Sequence, residues 1–299
     1  MSTIPTSKSP IYTIGDAKVA RVVDCQIGAF EPAGLLPDWS AKYQPLLDAM
    51  PETMSPDGRH ILLSIHSWVI WLGGRIILID TGVGNDKPRP FAPYFDQLTT
   101  PYLARLHALG VTPEMVDYVL HTHLHVDHVG WNTRLVDGRW QPTFPNARHI
   151  FSASEYRFFS NPANAGNRHR TSFQTQQDSV EPIVDAGLAD MIDVAGREVI
   201  PGFSFHSTPG HSVDHASILL ESGGSRALFA GDVLHHPVQV IAPHLLSIFD
   251  PNRETALSSR RWALDFASEH RAMLFSSHFP ATSAGTVSRR GADYTWDFA

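Results

Sequence analysis

Residues 121–128 read His121-Thr122-His123-Leu124-His125-Val126-Asp127-His128, four imidazoles and one carboxylate in a single short run. Few folds accommodate such a run, because every buried polar group needs a partner. An apolar stretch, 116–120, reads as a short buried strand and leads straight into it. Neutral imidazole is a good ligand for first-row metals, and a carboxylate supplies a hard oxygen. In extended backbone His123 and His125 point to the same side. If the chain then turns into a helix, Asp127 and His128 face a neighbouring point. That pattern serves two adjacent metal ions better than one.

Two ions need further donors, and three later turns offer one each, just past a predicted strand. They are His211 in Thr208-Pro209-Gly210-His211-Ser212, Asp232 in Ala230-Gly231-Asp232, and His278 in Ser276-Ser277-His278-Phe279-Pro280. Gly210 and Gly231 permit the sharp turns that aim the next side chain. The candidate ligands are therefore His123, His125, Asp127, His128, His211, Asp232 and His278. The single cysteine, Cys25, excludes an intramolecular disulfide and a cysteine-rich zinc module.

The surrounding pattern predicts an α/β sandwich. Strands are expected over 19–25, 61–71, 75–80, 116–120, 203–208, 216–221, 226–230 and 272–276, with a hairpin turn at Gly73-Gly74. Helices are expected over 101–109, 152–159, 171–186 and 254–269, the first capped by Thr100 with Pro101 at its first position. Residues 161–170 read as a surface loop. The chain is expected to be one domain: an N-terminal extension and cap over 1–60, a core over 61–280 and a C-terminal tail over 281–299.

Composition narrows the partners. The 23 Lys and Arg against 30 Asp and Glu give a formal charge of −7, which argues against a nucleic-acid partner. No apolar run approaches the roughly 18 residues of a membrane span, and residues 1–10 lack the features of a secretory signal. The expectation is a cytoplasmic protein.

The ordered motifs His123-x-His125-x-Asp127-His128, Pro209-Gly210-His211, Gly231-Asp232 and His278, with Asp80-Thr81-Gly82 upstream, resemble those of the metallo-β-lactamase-fold hydrolases over about residues 60–280. The resemblance implies an αβ/βα sandwich with the metals at one edge. It implies that His123, His125 and His211 hold one ion, that Asp127, His128 and His278 hold the other, and that Asp232 bridges them. Asp80 would orient a ligand histidine; otherwise it is a plain turn residue. The β-lactamases proper commonly use a Cys ligand and lack the bridging Asp, so antibiotic hydrolysis is not the first expectation. The closest branch is that of acyl-homoserine lactonases and methyl-parathion-hydrolase-like esterases. Many lactonases carry Tyr three residues after the bridging Asp; here that residue is His235, which either assists catalysis or packs behind the ligands.

The expected function is hydrolysis of an ester or lactone, with phosphotriesters as a further activity, by a hydroxide bridging two divalent metals. Zinc is the expected metal, with manganese, iron or cobalt as alternatives. Asp127 would also shuttle a proton. Trp131 and Asn132, next to the histidine run, and Phe91, Tyr94 and Phe95 are candidate contacts for a small-molecule substrate with an apolar acyl or aryl group, and Trp39 in the cap is a candidate cover. A homodimer is expected. Alternatives are a thioesterase, a β-lactamase-like amidase, or a metal-binding scaffold or sensor. His121 reads as a packing or supporting residue, and the histidines outside the motifs, His215 among them, carry no assigned role.

Overall fold

The computed structural model describes residues 10–164 and 170–299. The first sheet contains β1 (Ile11–Ile14), β2 (Ala17–Phe30), β3 (Ile61–Leu72), β4 (Arg75–Ile79) and β5 (Tyr118–Leu120). A separate hairpin, β6 (Thr133–Val136) and β7 (Arg139–Pro142), interrupts it before β8 (Arg148–Ser152) and β9 (Ala189–Ile192). The second sheet runs β10 (Glu198–Ile200), β11 (Phe203–Ser207), β12 (Ala216–Ser222), β13 (Ser225–Phe229), β14 (Met273–Phe275), β15 (Ala284–Arg290) and β16 (Asp293–Phe298). Each sheet has seven strands among the described residues.

The two sheets face one another. Val19, Trp68, Ile70, Ile77 and Leu120 of the first pack against Phe203, Phe205, Ile218, Phe229 and Phe275 of the second. The outer face of the first sheet is covered by the Tyr102–Ala108 helix, through Tyr102 and Leu106, and that of the second by the Arg253–Glu269 helix, through Ala263 and Leu264. This is the expected αβ/βα sandwich. Because β3 is covered on both faces, its sequence is apolar almost throughout rather than alternating.

Four differences from expectation have local causes. Thr100 does not cap the following helix; its hydroxyl donates to Asp24 instead. Residues 176–180 form a π turn between two short α segments. Pro182 has no N–H to offer the Asp178 carbonyl four residues earlier, and that carbonyl accepts from Lys87 Nζ (3.1 Å) and the Thr133 hydroxyl instead. The stretch expected as a C-terminal tail, 281–299, contains β15 and β16, which complete the second sheet with Tyr294 and Trp296 turned inward. Residues 10–30 likewise belong to the first sheet, so the cap proper is the 31–60 stretch, seated by Leu35, Leu36, Leu47 and Met54. The expected loop at 161–170 lies partly outside the described residues. No described helix is long and apolar enough to cross a membrane.

Candidate metal centre

The site lies beyond the carboxyl ends of β4, β5, β11, β13 and β14, where an open α/β architecture leaves a crevice. After β5 the chain does not continue as a helix. It folds into a turn closed by His128 N donating to His125 O (3.1 Å) and is strapped by Thr81 N donating to His128 O (2.7 Å). This turn brings His123, His125, Asp127 and His128 around one point. Gly130 then passes so close to Val83 that a Cβ there would sit 1.8 Å from the Val83 carbonyl oxygen.

The seven candidate ligands converge. His125 Nδ1 is 2.9 Å from both His123 Nε2 and His211 Nε2. Asp127, His128 and His278 form an adjoining group, with Asp127 oxygens 3.8 Å from His128 Nε2 and 3.7 Å from His278 Nε2. Asp232 stands between them: Oδ1 is 3.2 Å from His128 Nε2, while Oδ2 is 3.2 Å from His211 Nε2 and 3.0 Å from His278 Nε2.

Neighbouring groups hold these side chains. Asp80 accepts from Thr122 N (2.9 Å), from the Thr122 hydroxyl (2.8 Å) and from His128 Nδ1 (2.9 Å). His215, to which the sequence assigned no role, is fixed by Thr208 (2.9 Å) and accepts from Asp232 N at Nε2 (2.9 Å). Gly231 is required there: its φ is +59°, and a Cβ would lie 2.4 Å from His215 Nε2. Buried Glu155 accepts from Asp214 N (2.7 Å) and Leu124 N (3.4 Å), joining the two loops that bear His123, His125 and His211. His121 is buried behind the site, stacked on His149. Asp80 and Gly231 stand in the ordered motifs and His121 in the histidine run, but His215 and Glu155 stand in none; only the burial of an isolated polar residue could have pointed to those two.

Burial and the neighbouring imidazoles push His123 far below the usual histidine range, leaving it neutral as a ligand must be. Burial opposes the charge on Asp232, but His278, His128 and His211 outweigh it and hold the group as a carboxylate. Burial takes His215 down to about 3, so its Nε2 remains an acceptor.

Five of the candidate ligands, His125, Asp127, His211, Asp232 and His278, line a cleft of about 480 Å³. Its walls include Phe30, Ile65, Phe91, Tyr94, Phe95 and Phe249, and among the described residues no lysine or arginine lines it. His235 also lines it, stacked flat on His278 with ring centroids 5.5 Å apart. Its Nε2 is 3.5 Å from Asp232 Oδ2, and neither ring nitrogen makes a hydrogen bond. His236 points away, accepting from Val238 N at 3.2 Å.

Trp131 and Asn132, expected at the substrate, do not reach the cleft. Trp131 stacks on Tyr102 at 5.0 Å in the outer core, and Asn132 accepts from the Thr81 hydroxyl at 2.9 Å. Trp39 packs on Tyr43 rather than over the ligands.

The donor set suits divalent metal ions. His128 Nε2 and Asp232 Oδ1 are buried, make no hydrogen bond and face the common point. Imidazole nitrogens and carboxylate oxygens turned to one space are the donors that such ions take.

The family model of the metallo-beta-lactamase superfamily matches residues 61–278, and the chain belongs to that superfamily. It is 29% identical over 182 residues to the N-acyl homoserine lactonase AttM of Agrobacterium fabrum, covering 59% of this chain and 63% of that protein. It is 28% identical over 117 residues to the N-acyl homoserine lactonase of Bacillus cereus, covering 39% and 38%. The match thus spans less than two thirds of the length of either relative. Two solved structures share the fold: the hydrolase AbOPH (TM-score 0.83, 24% identity, 99% of each chain) and AidC, a dizinc quorum-quenching lactonase (TM-score 0.80, 21% identity, 98% of this chain and 97% of that one).

Proposed function

We propose that the protein is a two-metal hydrolase of neutral esters and lactones bearing an apolar acyl or aryl group, with phosphotriesters as a lesser activity. One observation carries the reading: seven His and Asp side chains converge, and five of them (His125, Asp127, His211, Asp232 and His278) line a cleft whose described walls are largely apolar and carry no lysine or arginine. The lactonase relatives support the lactone class.

His123, His125 and His211 would hold one ion, Asp127, His128 and His278 the other, with Asp232 shared. Zinc fits the imidazole-rich set. Bound ions supply a water ionised near neutral pH and a Lewis acid for the carbonyl. Asp127, whose side chain keeps 16% exposure against 4% for Asp232, faces the cleft and moves a proton to the leaving oxygen. His235, neutral because burial lowers its pKa, presents an uncommitted ring nitrogen to donate to the acyl oxygen. The aromatic walls bind the apolar portion of the substrate and exclude water.

Away from the metals, an anionic group would lose its hydration in such a cleft and find no lysine or arginine among its described walls. Metal-quantified protein should therefore hydrolyse p-nitrophenyl hexanoate and acyl lactones faster than glutathione thioesters or an anionic β-lactam. Inertness towards esters, lactones and phosphotriesters with two metals bound would refute the substrate reading.

A further inference from the structure

We propose that Asp250 is a positioning residue for His211. Its carboxylate accepts from Nδ1–H and fixes the imidazole in the tautomer that presents Nε2 to a metal. The proposal rests on the two-metal reading of the centre.

His211 Nε2 faces the ligand cluster, 2.9 Å from His125 Nδ1 and 3.2 Å from Asp232 Oδ2. A ring that binds metal through Nε2 carries its proton on Nδ1. On that side stands Asp250 Oδ1, 3.6 Å away. Both atoms are buried, and neither has another hydrogen-bond partner. The gap is only a few tenths of an ångström beyond a formed hydrogen bond. Coordination at Nε2 polarises Nδ1–H and strengthens its demand for a charged acceptor.

The carboxylate is held independently of His211. Its other oxygen accepts from Ser247 N (2.8 Å) and from Arg260 (3.2 Å). Arg260, wholly buried on the Arg253–Glu269 helix, also donates to the carbonyls of Val233 (2.7 Å), Pro243 (2.9 Å) and Leu245 (2.9 Å). One guanidinium therefore balances the Asp250 charge and grips the residue after Asp232. The same stretch of chain wraps the turn before His211: Asn252 N donates to Gly210 O (3.2 Å), and the Ser259 hydroxyl donates to Pro209 O (2.6 Å).

The test is chelator competition on the zinc-loaded full chain, comparing wild type, Asp250→Asn and Asp178→Asn. In Asp250→Asn the introduced amide can keep its oxygen towards Ser247 and Arg260, which leaves its N–H₂ facing Nδ1–H. Asp178 is a buried carboxylate paired with Arg89 (2.6 Å) rather than with any of the seven ligands, so its variant controls for losing any buried acid. The expected result is one zinc bound about 10- to 100-fold more weakly in Asp250→Asn, the other unchanged, and both unchanged in Asp178→Asn. Two zinc ions in wild type with unchanged constants in Asp250→Asn would overturn the proposal, as would an equal loss in both variants. Fewer than two in wild type would instead sink the two-metal reading beneath it. A second measurement needs no folded Asp250 variant: nitrogen–proton correlation spectra of zinc-loaded, histidine-labelled wild type. The His211 signal, identified by its loss in His211→Gln, should show Nδ1 protonated. An unprotonated Nδ1 overturns the proposal.

Discussion

Asp80 and His128 are joined across 2.9 Å, imidazole Nδ1 to carboxylate, with both groups buried and Asp80 also anchored to Thr122. The φ of Asp80 is +55°, a left-handed conformation that Asp and Asn tolerate better than most residues. Asp80→Asn should therefore keep the backbone turn while losing the charge that orients His128. We expect zinc at the His128 position to weaken about 10- to 100-fold with little change in unfolding midpoint. Chelator competition alongside thermal unfolding checks this.

The cleft walls give a prediction about specificity. Phe91 is 61% exposed at the cleft mouth, whereas Trp131 is buried in the outer core. Phe91→Ala should leave stability nearly unchanged and raise KM for long-chain or aryl esters about 3- to 10-fold, with little effect on acetyl esters. Trp131→Ala should show the opposite pattern, a stability loss of about 3–5 kcal/mol with KM unchanged in protein that remains folded. Steady-state kinetics and urea unfolding separate the two.

A buried charge cluster beside the site sets a pH dependence. Arg89 takes both oxygens of Asp178 (2.6 and 2.7 Å), which leaves the Lys87 ammonium 3.5 Å from the same carboxylate. Burial, only partly offset by Asp178, lowers Lys87 to about 7 from 10.5. Between those values the unfolded chain binds the proton and the folded chain does not, so this group makes stability rise with pH. Its destabilisation is fullest below pH 7 and fades towards pH 10.5. Wild type should gain a few kcal/mol relative to Lys87→Met between about pH 7 and 10. Urea unfolding at several pH values measures the difference. A flat or falling difference would contradict the account.

The candidate ligand set was legible because its chemistry is local. Two imidazoles two residues apart in one run, and single His or Asp residues after strand-ending glycines, are patterns written along the chain. Supports assembled from distant segments were not legible. His215 meets Asp232, and Asp250 faces His211, only after the sheets pack. Trp131 and Asn132 adjoin the histidines in sequence, but their side chains meet Tyr102 and Thr81 rather than the cleft. The hairpin β15–β16 did carry a period-two signal, Tyr294 and Trp296 inward against Asp293 and Asp297 outward, but its polar residues hid it. The π turn at 176–180 was hidden because Pro182 alters the bonding of a residue one turn earlier.

The proposed centre holds two metal ions and performs hydrolysis. Its most direct test is metal content per chain, measured on wild type and on the His123→Ala/His125→Ala double variant, with p-nitrophenyl hexanoate hydrolysis read from the same samples. We predict two divalent ions per wild-type chain, loss of at least one in the variant, and loss of hydrolysis with it. Full hydrolysis by a variant that has lost its metal would contradict the account.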